Sequence, residues 1–489
     1  MSSHSVNIGW AETGLTPQRP VSLSGSTSPR FSEGVADPLY ATAWAIDSGE
    51  EQAVFVSCDL VVISDELRDA VRSRLARQEN VLDPMKVIIH ATHTHNAPEI
   101  RPENLTKENI GFALHEVSAD IMSVEEYLAF ASDRIAEAVK QAWNSRAPGG
   151  IAYGMEYAVI GRNRRWVDMD GHSTMHGLNP STADRFRHIE GYEDHSLYVL
   201  ATYDADSKLT GLILNFACTA QVPGATDSHK MSADIWHEAR RELRSRFGSE
   251  LFILPQVSAA GEQTGHLQYD KAAESRMLRL KGRSKRQDVA ISMANAIAEM
   301  LPAISQEIQP SPAMRHQVDV VHLTANRLTE EDVQTAEREA SEWEAKYEQA
   351  KDHLEKHPEL RLTPRWYESI SIPRRKIKWL RGVSKRFERQ KEHATLPAEV
   401  HVLRLGEVLF ASVPFEYYLD YGIQIKVRSP ATQTFLVQLA GPGTYVPSPR
   451  SLLGGGYGST APSNPIGAEG GQELAEHIVQ TIRSVWNEA

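Results

Sequence analysis

The side chains best suited to chemistry lie in the run HATHTHNAP at residues 90–98, directly after an apolar segment that is predicted to be a strand. In an extended chain, His93 and His95 project from the same face. Two imidazoles at the end of a strand suit a divalent metal such as zinc. On this feature alone, polar histidines that bind no metal explain the pattern equally well.

Three other polar segments also follow apolar runs. They are GEQTGH at 261–266, PFE at 414–416 and GPGTY at 441–445, after the runs 251–258, 407–413 and 433–440. Each of them alone is typical of an ordinary loop. Because sites in open α/β sheets collect where strands end, the four segments together supply His, Glu and Tyr from separate strand ends. Such a set is typical of a catalytic metal site.

Short β-branched apolar runs alternate with amphipathic segments along most of the chain. Ser123 and Glu126 form a predicted capping box, and a further helix is predicted over 232–247 with Ser232 as its N-cap. Strands that alternate with helices indicate an α/β fold. We therefore predict one large mixed-sheet domain over residues 1–489 that is surrounded by helices.

The segment 326–395 differs from the rest in its charge pattern. Residues 330–355 contain ten acidic and three basic side chains, and residues 374–391 contain nine basic and one acidic. Apolar positions from Val333 to Leu354 recur at spacings of three and four. We predict an inserted helical hairpin whose two arms attract each other, in preference to a site for a polyanion on the basic arm. A lid or a contact between subunits of a homo-oligomer is a further role for it.

Overall composition narrows the class of protein. The 489 residues carry 52 basic and 64 acidic side chains, a net charge of −12, which argues against nucleic acid as a partner. Cys58 and Cys218 both lie in apolar runs, so reduced core thiols are expected. The first residues resemble no signal peptide, and no run is long enough to span a membrane. We expect a cytoplasmic protein.

The spacing of these motifs resembles the neutral (non-lysosomal) ceramidase superfamily. The likeness is carried by ATHTH at 91–95 with Pro98, and by NR at 163–164, NFA at 215–217, SAD at 232–234, the Gly261 loop and PFE at 414–416. Tyr445 and Tyr457, twelve residues apart, complete it. The segment 326–395 and the family's extra C-terminal β-domain are outside the likeness.

The resemblance implies a zinc amidase that cleaves an N-acyl bond. His93, Glu416 and Tyr445 match zinc-ligand positions. His95, Arg164 and Tyr457 match positions that line the catalytic centre. Zinc would polarise a carbonyl, His95 could transfer protons, and Arg164 could stabilise negative charge.

Two departures from the family pattern affect the expected site. Thr219 stands where the family has a third histidine ligand, and Thr264 stands where the family has a catalytic serine. His237, three residues after Asp234 on a predicted helix, is a candidate replacement ligand that the Asp234 carboxylate would orient, although a surface histidine is the simpler interpretation. Thr264 is a candidate nucleophile or water-positioning hydroxyl.

These residues predict a zinc-dependent hydrolase that acts on a small, soluble amide or ester. Two alternatives stay open. One is a carbohydrate-active enzyme on the same scaffold, performing glycan cleavage or elimination, in which Arg164 and Arg165 would bind a polar sugar. The other is a non-catalytic binding homologue.

Overall fold

The computed structural model describes residues 5–77, 82–222 and 228–487. The strands in these ranges are β1 (Asn7–Gly14), β2 (Ser22–Leu23), β3 (Arg30–Phe31), β4 (Tyr40–Asp47), β5 (Gln52–Cys58), β6 (Val87–Ala91), β7 (Ala147–Tyr157), β8 (Arg162–Asn163), β9 (Arg165–Asp168), β10 (Ser173–Met175), β11 (Phe186–Ile189), β12 (Ser196–Asp204), β13 (Leu209–Phe216), β14 (Phe252–Val257), β15 (Gln263–Thr264), β16 (Met314–Thr324), β17 (Thr395–Leu405), β18 (Val408–Ser412), β19 (Glu416–Tyr417), β20 (Gln433–Val437) and β21 (Tyr445–Val446).

The helices are α1 (Asp65–Ala76), α2 (Lys107–Ile110), α3 (Val124–Asn144), α4 (Ile235–Phe247), α5 (Lys271–Lys281), α6 (Lys285–Ile304), α7 (Glu330–Lys356), α8 (Glu368–Arg389), α9 (Leu419–Arg428), α10 (Pro449–Gly454) and α11 (Ala468–Asn487). The α/β fold predicted from the sequence is confirmed. Among the residues described, no helix has the length and apolar character that would let it cross a membrane.

Two mixed sheets form the centre of the molecule. The larger has the order β14-β13-β12-β7-β1-β4-β5-β6, and the smaller has the order β16-β17-β18-β20. Most neighbours are antiparallel, but the pairs β5–β6, β13–β14 and β18–β20 are parallel. The predicted mixed sheet is confirmed.

The alternation of side chains along the strands produces four layers. In β4, Trp44 and Ile46 face the second sheet, where they join Phe55 and Phe410 in a shared core. The intervening alanines of β4 lie under the helices α1, α3, α4 and α6 on the other face. The smaller sheet is covered in the same way by α9 and α11. Since successive strand residues point to opposite faces, apolar residues at consecutive positions fill both cores.

The helix starts agree in part with the sequence-based predictions. Ser123 and Glu126 form the expected capping box at the start of α3. The prediction for α4 was wrong by two residues: Asp234, at φ 58°, is the N-cap and accepts from the Ile235 N–H. Ser232 instead donates its hydroxyl to Asp37. The oxygen of the same hydroxyl accepts from the N–H of Asp234 at 3.0 Å, so Ser232 stabilises the turn that precedes the cap.

The helices α7 and α8, which lie between β16 and β17 in the sequence, pack against each other, and we call them the helical pair. Arg381 on α8 bonds to Glu337 and Glu344 on α7. Phe112, Trp366 and Ile370 belong to an apolar cluster that joins the helical pair to the segment around α2. The helical pair is thus anchored to the body of the protein.

A buried ion pair fixes α4 to the end of β5. The Nη1 of Arg240 lies 2.7 Å from Oδ2 of Asp59, and the two side chains are 3% and 0% exposed. The Asp59 carboxylate also accepts from the backbone N–H of Tyr40. Removing one partner of such a pair strands a buried charge.

We expect Arg240→Met to lower the free energy of unfolding by about 3 kcal/mol, because Asp59 is left without its counter-charge. Chemical denaturation followed by circular dichroism measures the loss. Arg241→Met is the matched control, since the Arg241 side chain is 60% exposed and its removal should cost less than about 1 kcal/mol. Equal losses in both variants would contradict the assigned role of the pair.

Candidate functional site

The ends of strands from both sheets are joined by backbone hydrogen bonds. The N–H of Ala91 at the end of β6 donates to Leu439 just beyond β20, at 3.2 Å. The N–H of Gln438 donates to Val257 at the end of β14, at 2.9 Å. The Gln438 side-chain oxygen accepts from the N–H groups of Ala260 and Tyr417, both at 3.1 Å. Segments that are far apart in the sequence therefore meet at one edge.

The short parallel ladder β19–β21 brings two of the predicted ligands side by side. Glu416 pairs directly with Tyr445 in its register. Since Glu416 follows β18 and Tyr445 follows β20, the parallel pairing of these longer strands sets the ladder's position. Neighbouring residues on paired strands have their Cβ atoms about 5 Å apart, which lets both side chains reach one point.

His93 is held in a defined orientation. Its backbone has φ 63°, which places a non-glycine residue in the left-handed region. Its Nδ1 lies 2.7 Å from the carbonyl oxygen of Val61, which can only accept, so Nδ1 carries the proton. Its Nε2 faces Glu416, whose Oε2 is 3.4 Å away. This is the tautomer that a metal ligand needs.

His95 lies beside His93 on the side away from Glu416. Its Nε2 is 3.2 Å from the Nε2 of His93, and its Nδ1 is 3.0 Å from the amide nitrogen of Gln221. Burial, followed by the charges of His93 and Arg164, places the pKa of His95 well below its usual value. His95 is therefore an uncharged base that can accept a proton.

Opposing effects act on the Glu416 carboxyl. Burial disfavours its ionised form, but His93, Arg164 and Tyr445 outweigh burial and lower the pKa of Glu416. Its Oε2 is buried without a hydrogen-bond partner among the described residues. A buried carboxylate oxygen that is ionised and lacks a hydrogen-bond donor is suited to receive a cation.

Arg164 connects the tyrosine to the loop after β14. Its Nη2 donates to the carbonyl of Gly261 at 2.7 Å and to the hydroxyl of Tyr445 at 3.2 Å. The Arg164 side chain is buried, and its backbone N–H bonds to Glu262. A fixed guanidinium in this position can stabilise negative charge that develops nearby.

Tyr457 lies at the mouth of the cluster. Its ring centroid is 5.5 Å from that of Tyr445 in an edge-on arrangement, and the residue is 52% exposed. Its carbonyl accepts from Arg165, whose guanidinium is otherwise bonded to Glu190. The glycine-rich loop that carries Tyr457 is thus fastened at this point.

A cavity of about 530 Å³ contains the cluster. His93, His95, Glu416, Tyr445 and Tyr457 all line it. Its outer wall comes from α8, through side chains of the basic segment for which we preferred internal pairing to a polyanion site: Arg375, Lys376, Lys378, Trp379 and Arg386. The only available signal was the dense basic composition of this segment.

The structure does not bring Thr264 to the cavity. Thr264 lies in β15, fully buried, and its hydroxyl has no partner among the described residues. The loop contacts the site through the Gly261 carbonyl instead. Thr219, the other departure, does approach the cluster: the N–H of its neighbour Ala220 donates to Thr92 at 3.2 Å.

His237 is also absent from the cluster. It is partly exposed in the first turn of α4, and it does not line the cavity that contains His93. Asp234, its expected partner, is bonded to Arg286 and to the N–H groups of Val222 and Ile235. The prediction of Asp234 as a carboxylate that orients His237 was therefore wrong, because Asp234 caps the helix.

A different group of potential metal ligands occurs on the surface. Within the part of the chain that the structure describes, one set of three such side chains has its ligand atoms within 4.8 Å of one another: Asp168, Asp170 and His172. Asp170 and His172 are exposed, and Asp168 accepts their backbone N–H groups and pairs with Arg185. These contacts are those of an ordinary turn. His93, by contrast, is the middle member of a row formed with His95 and Glu416.

Comparisons with known proteins agree with this description. Residues 13–217 match the family "Neutral/alkaline non-lysosomal ceramidase, N-terminal". The structure is similar to a solved ceramidase complexed with C2 (TM-score 0.66, 15% identity, 99% of this chain and 76% of that chain). It is also similar to the neutral ceramidase from Pseudomonas aeruginosa (TM-score 0.65, 16% identity, 99% and 75%). No curated protein sequence matches the chain.

The resemblance to the neutral ceramidase superfamily is therefore confirmed, by sequence over residues 13–217 and by fold over nearly the whole chain. The family and the fold point to a hydrolase.

Glu262 has a role that the sequence did not reveal. Its buried carboxyl accepts from the N–H of Leu419 at the start of α9, and burial, with a smaller contribution from Asp420, raises its pKa to about 8. In the unfolded chain a Glu titrates near 4.3. Between these values the folded protein holds a proton that the unfolded chain has released, so stability is lost as pH rises towards 8.

We expect Glu262→Gln to remove this dependence, because an amide has no proton to lose. The melting temperature of the variant minus that of the unchanged protein should grow by about 1–3 °C between pH 5 and pH 8.5. Differential scanning fluorimetry across this range measures it. Glu299→Gln, on an exposed position of α6, is the control and should show a constant difference. A constant difference for Glu262→Gln would show that the carboxyl is already ionised when folded.

Proposed function

We propose that this member of the neutral ceramidase superfamily is a zinc-dependent hydrolase that cleaves an amide or ester bond in a small substrate. The observation that supports it most directly is the meeting of His93, Glu416 and Tyr445 around one side of the cavity, from three separate strand ends. A catalytic zinc has three protein ligands and one open position, and these three side chains would supply the ligands.

The residues fit such an ion. Because Nδ1 of His93 donates to Val61, Nε2 is the nitrogen that would bind the metal, in place of its contact with Nε2 of His95, and Oε2 of Glu416 lacks a hydrogen-bond donor. Their separation of 3.4 Å is close to the roughly 3.3 Å expected between two ligands of one tetrahedral zinc. Tyr445 adds an oxygen beside Glu416. A bound zinc would supply Lewis acidity towards a scissile carbonyl.

The surrounding side chains would handle protons and charge. With the Gln221 amide turned so that its oxygen accepts from Nδ1, the uncharged His95 would accept a proton on Nε2 from an attacking water and return it to the leaving group. Arg164, fixed on the Gly261 carbonyl, would stabilise the negative charge on the carbonyl oxygen. Tyr457 would cover the mouth of the cavity.

Thr219 and Thr264 limit which residues can be metal ligands and which group can be the nucleophile. The hydroxyl of Thr219 is a poor zinc ligand. The proposed ligand set is therefore His93, Glu416 and Tyr445, with His95 next to them. Thr264 is outside the cavity, so we assign it no role in attack. The proposed nucleophile is therefore water.

One residue that favoured a carbohydrate-active enzyme is not available to bind a sugar. Arg165, which we considered for binding a sugar, is fully buried and bonded to Glu190 and to backbone carbonyls. Only Arg164 of this pair faces the cluster.

The test combines metal analysis with a substrate panel. Protein purified without chelator should contain about one zinc per chain by mass spectrometry of its metals. The panel contains a short-chain N-acyl sphingosine, N-acetylated amino acids and sugars, soluble esters and unmodified oligosaccharides. Release of acid from an amide or ester supports the proposal, and cleavage of the oligosaccharides alone would favour the carbohydrate alternative.

We expect His93→Ala and Glu416→Gln to lose both zinc and activity. Zinc content should fall below about one fifth of its original value, and kcat/KM should fall at least about 100-fold. His237→Ala is the control, and its zinc content and kcat/KM should stay within about twofold. Loss of zinc in His237→Ala with retention in His93→Ala would overturn the assigned ligand set.

A further inference from the structure

The wall that α8 contributes to the cavity is strongly cationic. Arg375, Lys376, Lys378 and Arg386 line the same cavity as His93, Glu416 and Tyr445. With Arg101, five cationic and two carboxylate side chains line it, although the whole chain has a net charge of −12. A concentration of one sign of charge in a concave site attracts ligands of the opposite sign.

Among the described residues, the four cations on α8 form no direct ion pair with a carboxylate, whereas Arg101 does. Glu99 is engaged by Arg101 at 2.9 Å, and Glu416 lies against His93. Arg375 donates to the carbonyl of Ser26 at 2.9 Å, and Lys378 donates to the carbonyl of Glu103 at 3.2 Å. Backbone carbonyls orient these groups, while Glu99 acts on Arg375, and Glu103 and Glu108 act on Lys378, only through space.

Arg386 is the most exceptional of them. One nitrogen, Nη2, donates to the carbonyl of Ala461, while Nη1 is buried and has no hydrogen-bond partner among the described residues. Burial lowers the pKa of Arg386, and no acidic group opposes that effect. A guanidinium with an unsatisfied donor at a cavity wall destabilises the empty protein, unless a ligand supplies the acceptor.

Where α8 packs against α7, its cation is paired with carboxylates. Arg381 is bonded to Glu337 and Glu344, and Ser384 also donates to Glu337. The helical pair therefore neutralises Arg381, which lies between its two helices, and does not pair the cations that line the cavity. Internal pairing, which we preferred from the sequence, explains Arg381 and does not explain Lys378 or Arg386.

An aromatic surface joins the cationic wall to the reactive cluster. The ring of Trp379 on α8 lies 6.2 Å from that of Tyr457, which is 5.5 Å from that of Tyr445. A substrate bound along these rings would present one end to Glu416 and the other to the cations of α8. Aromatic faces also favour a ring or other flat group between the two ends.

We propose that α8 is the specificity wall of the site, and that it selects substrates bearing a carboxylate, sulfate or phosphate group. The bond that is cleaved rests on the proposed function, but the binding of the anionic group does not. Arg386 and Lys378 are the principal contacts of that group, since a guanidinium and an ammonium both form charge-assisted hydrogen bonds to oxyanions.

The test uses the full-length, zinc-loaded protein. Calorimetric titration with sodium sulfate, sodium phosphate and sodium glucuronate, in a low-salt buffer without competing anions, measures binding without turnover. Initial rates are then compared for matched amides: N-acetylglycine against N-acetylglycinamide, and the 6-sulfate and 6-phosphate of N-acetylglucosamine against the neutral sugar. The three anions distinguish carboxylate, sulfate and phosphate as the preferred group.

We expect Lys378→Gln with Arg386→Gln to weaken the affinity for the best anion about tenfold, and to lower the anionic-to-neutral ratio of kcat/KM by a similar factor. The control is Lys385→Gln with Arg389→Gln, which removes the same charge from exposed positions of α8 outside the cavity. Its affinity and its ratio should stay within about twofold. Lys378→Gln alone, on an exposed side chain, serves if the double variant does not fold.

The outcomes separate this inference from the proposed function. Anion binding that depends on Lys378 and Arg386, without hydrolysis of any amide, supports the cationic wall and overturns the hydrolase proposal. Hydrolysis of neutral amides as fast as anionic ones, with no anion binding in the titration, overturns the cationic wall and leaves the hydrolase. Equal losses of anion affinity in the double variant and in its control would also overturn the cationic wall.

Discussion

The side-chain amide of Gln438 is the interaction on which the geometry of the site depends. Its oxygen accepts from the N–H of Ala260, after β14, and from that of Tyr417, in β19. The backbone N–H of Gln438 donates to the carbonyl of Val257. One fully buried residue thereby fixes the ends of strands from two different sheets relative to each other. A shift of either strand end would deprive the buried N–H groups of Ala260 and Tyr417 of their shared acceptor.

Electrostatic effects divide the cavity into two regions. At the inner end, His93, Arg164 and Tyr445 keep Glu416 ionised despite its burial. At the outer end, α8 supplies four cations that form no direct ion pair among the described residues. The inner region suits a metal and the developing charge of a reaction, and the outer region suits a charged group of the substrate. Reaction chemistry and substrate choice are thus assigned to different parts of the chain.

The sequence predicted the inner region better than the outer one, for a physical reason. His93, Glu416 and Tyr445 each follow a buried strand closely, so the local pattern already placed them at strand ends. Thr264 and His237 also lie close to strand ends or helix starts, but their direction depends on long-range contacts, such as that between Asp234 and Arg286. The cavity wall on α8 depends on how two charged helices pack on a distant sheet, which no local spacing encodes.

The position of the helical pair in the fold has an evolutionary consequence. Residues 325–394 leave and re-enter the smaller sheet at adjacent points, because Thr324 at the end of β16 is paired with Thr395 at the start of β17. An excursion that begins and ends at one hairpin can be lengthened, shortened or exchanged while the strands beneath it keep their register. The scaffold could therefore acquire new substrates by replacing this module, without any change to the ligands that it covers.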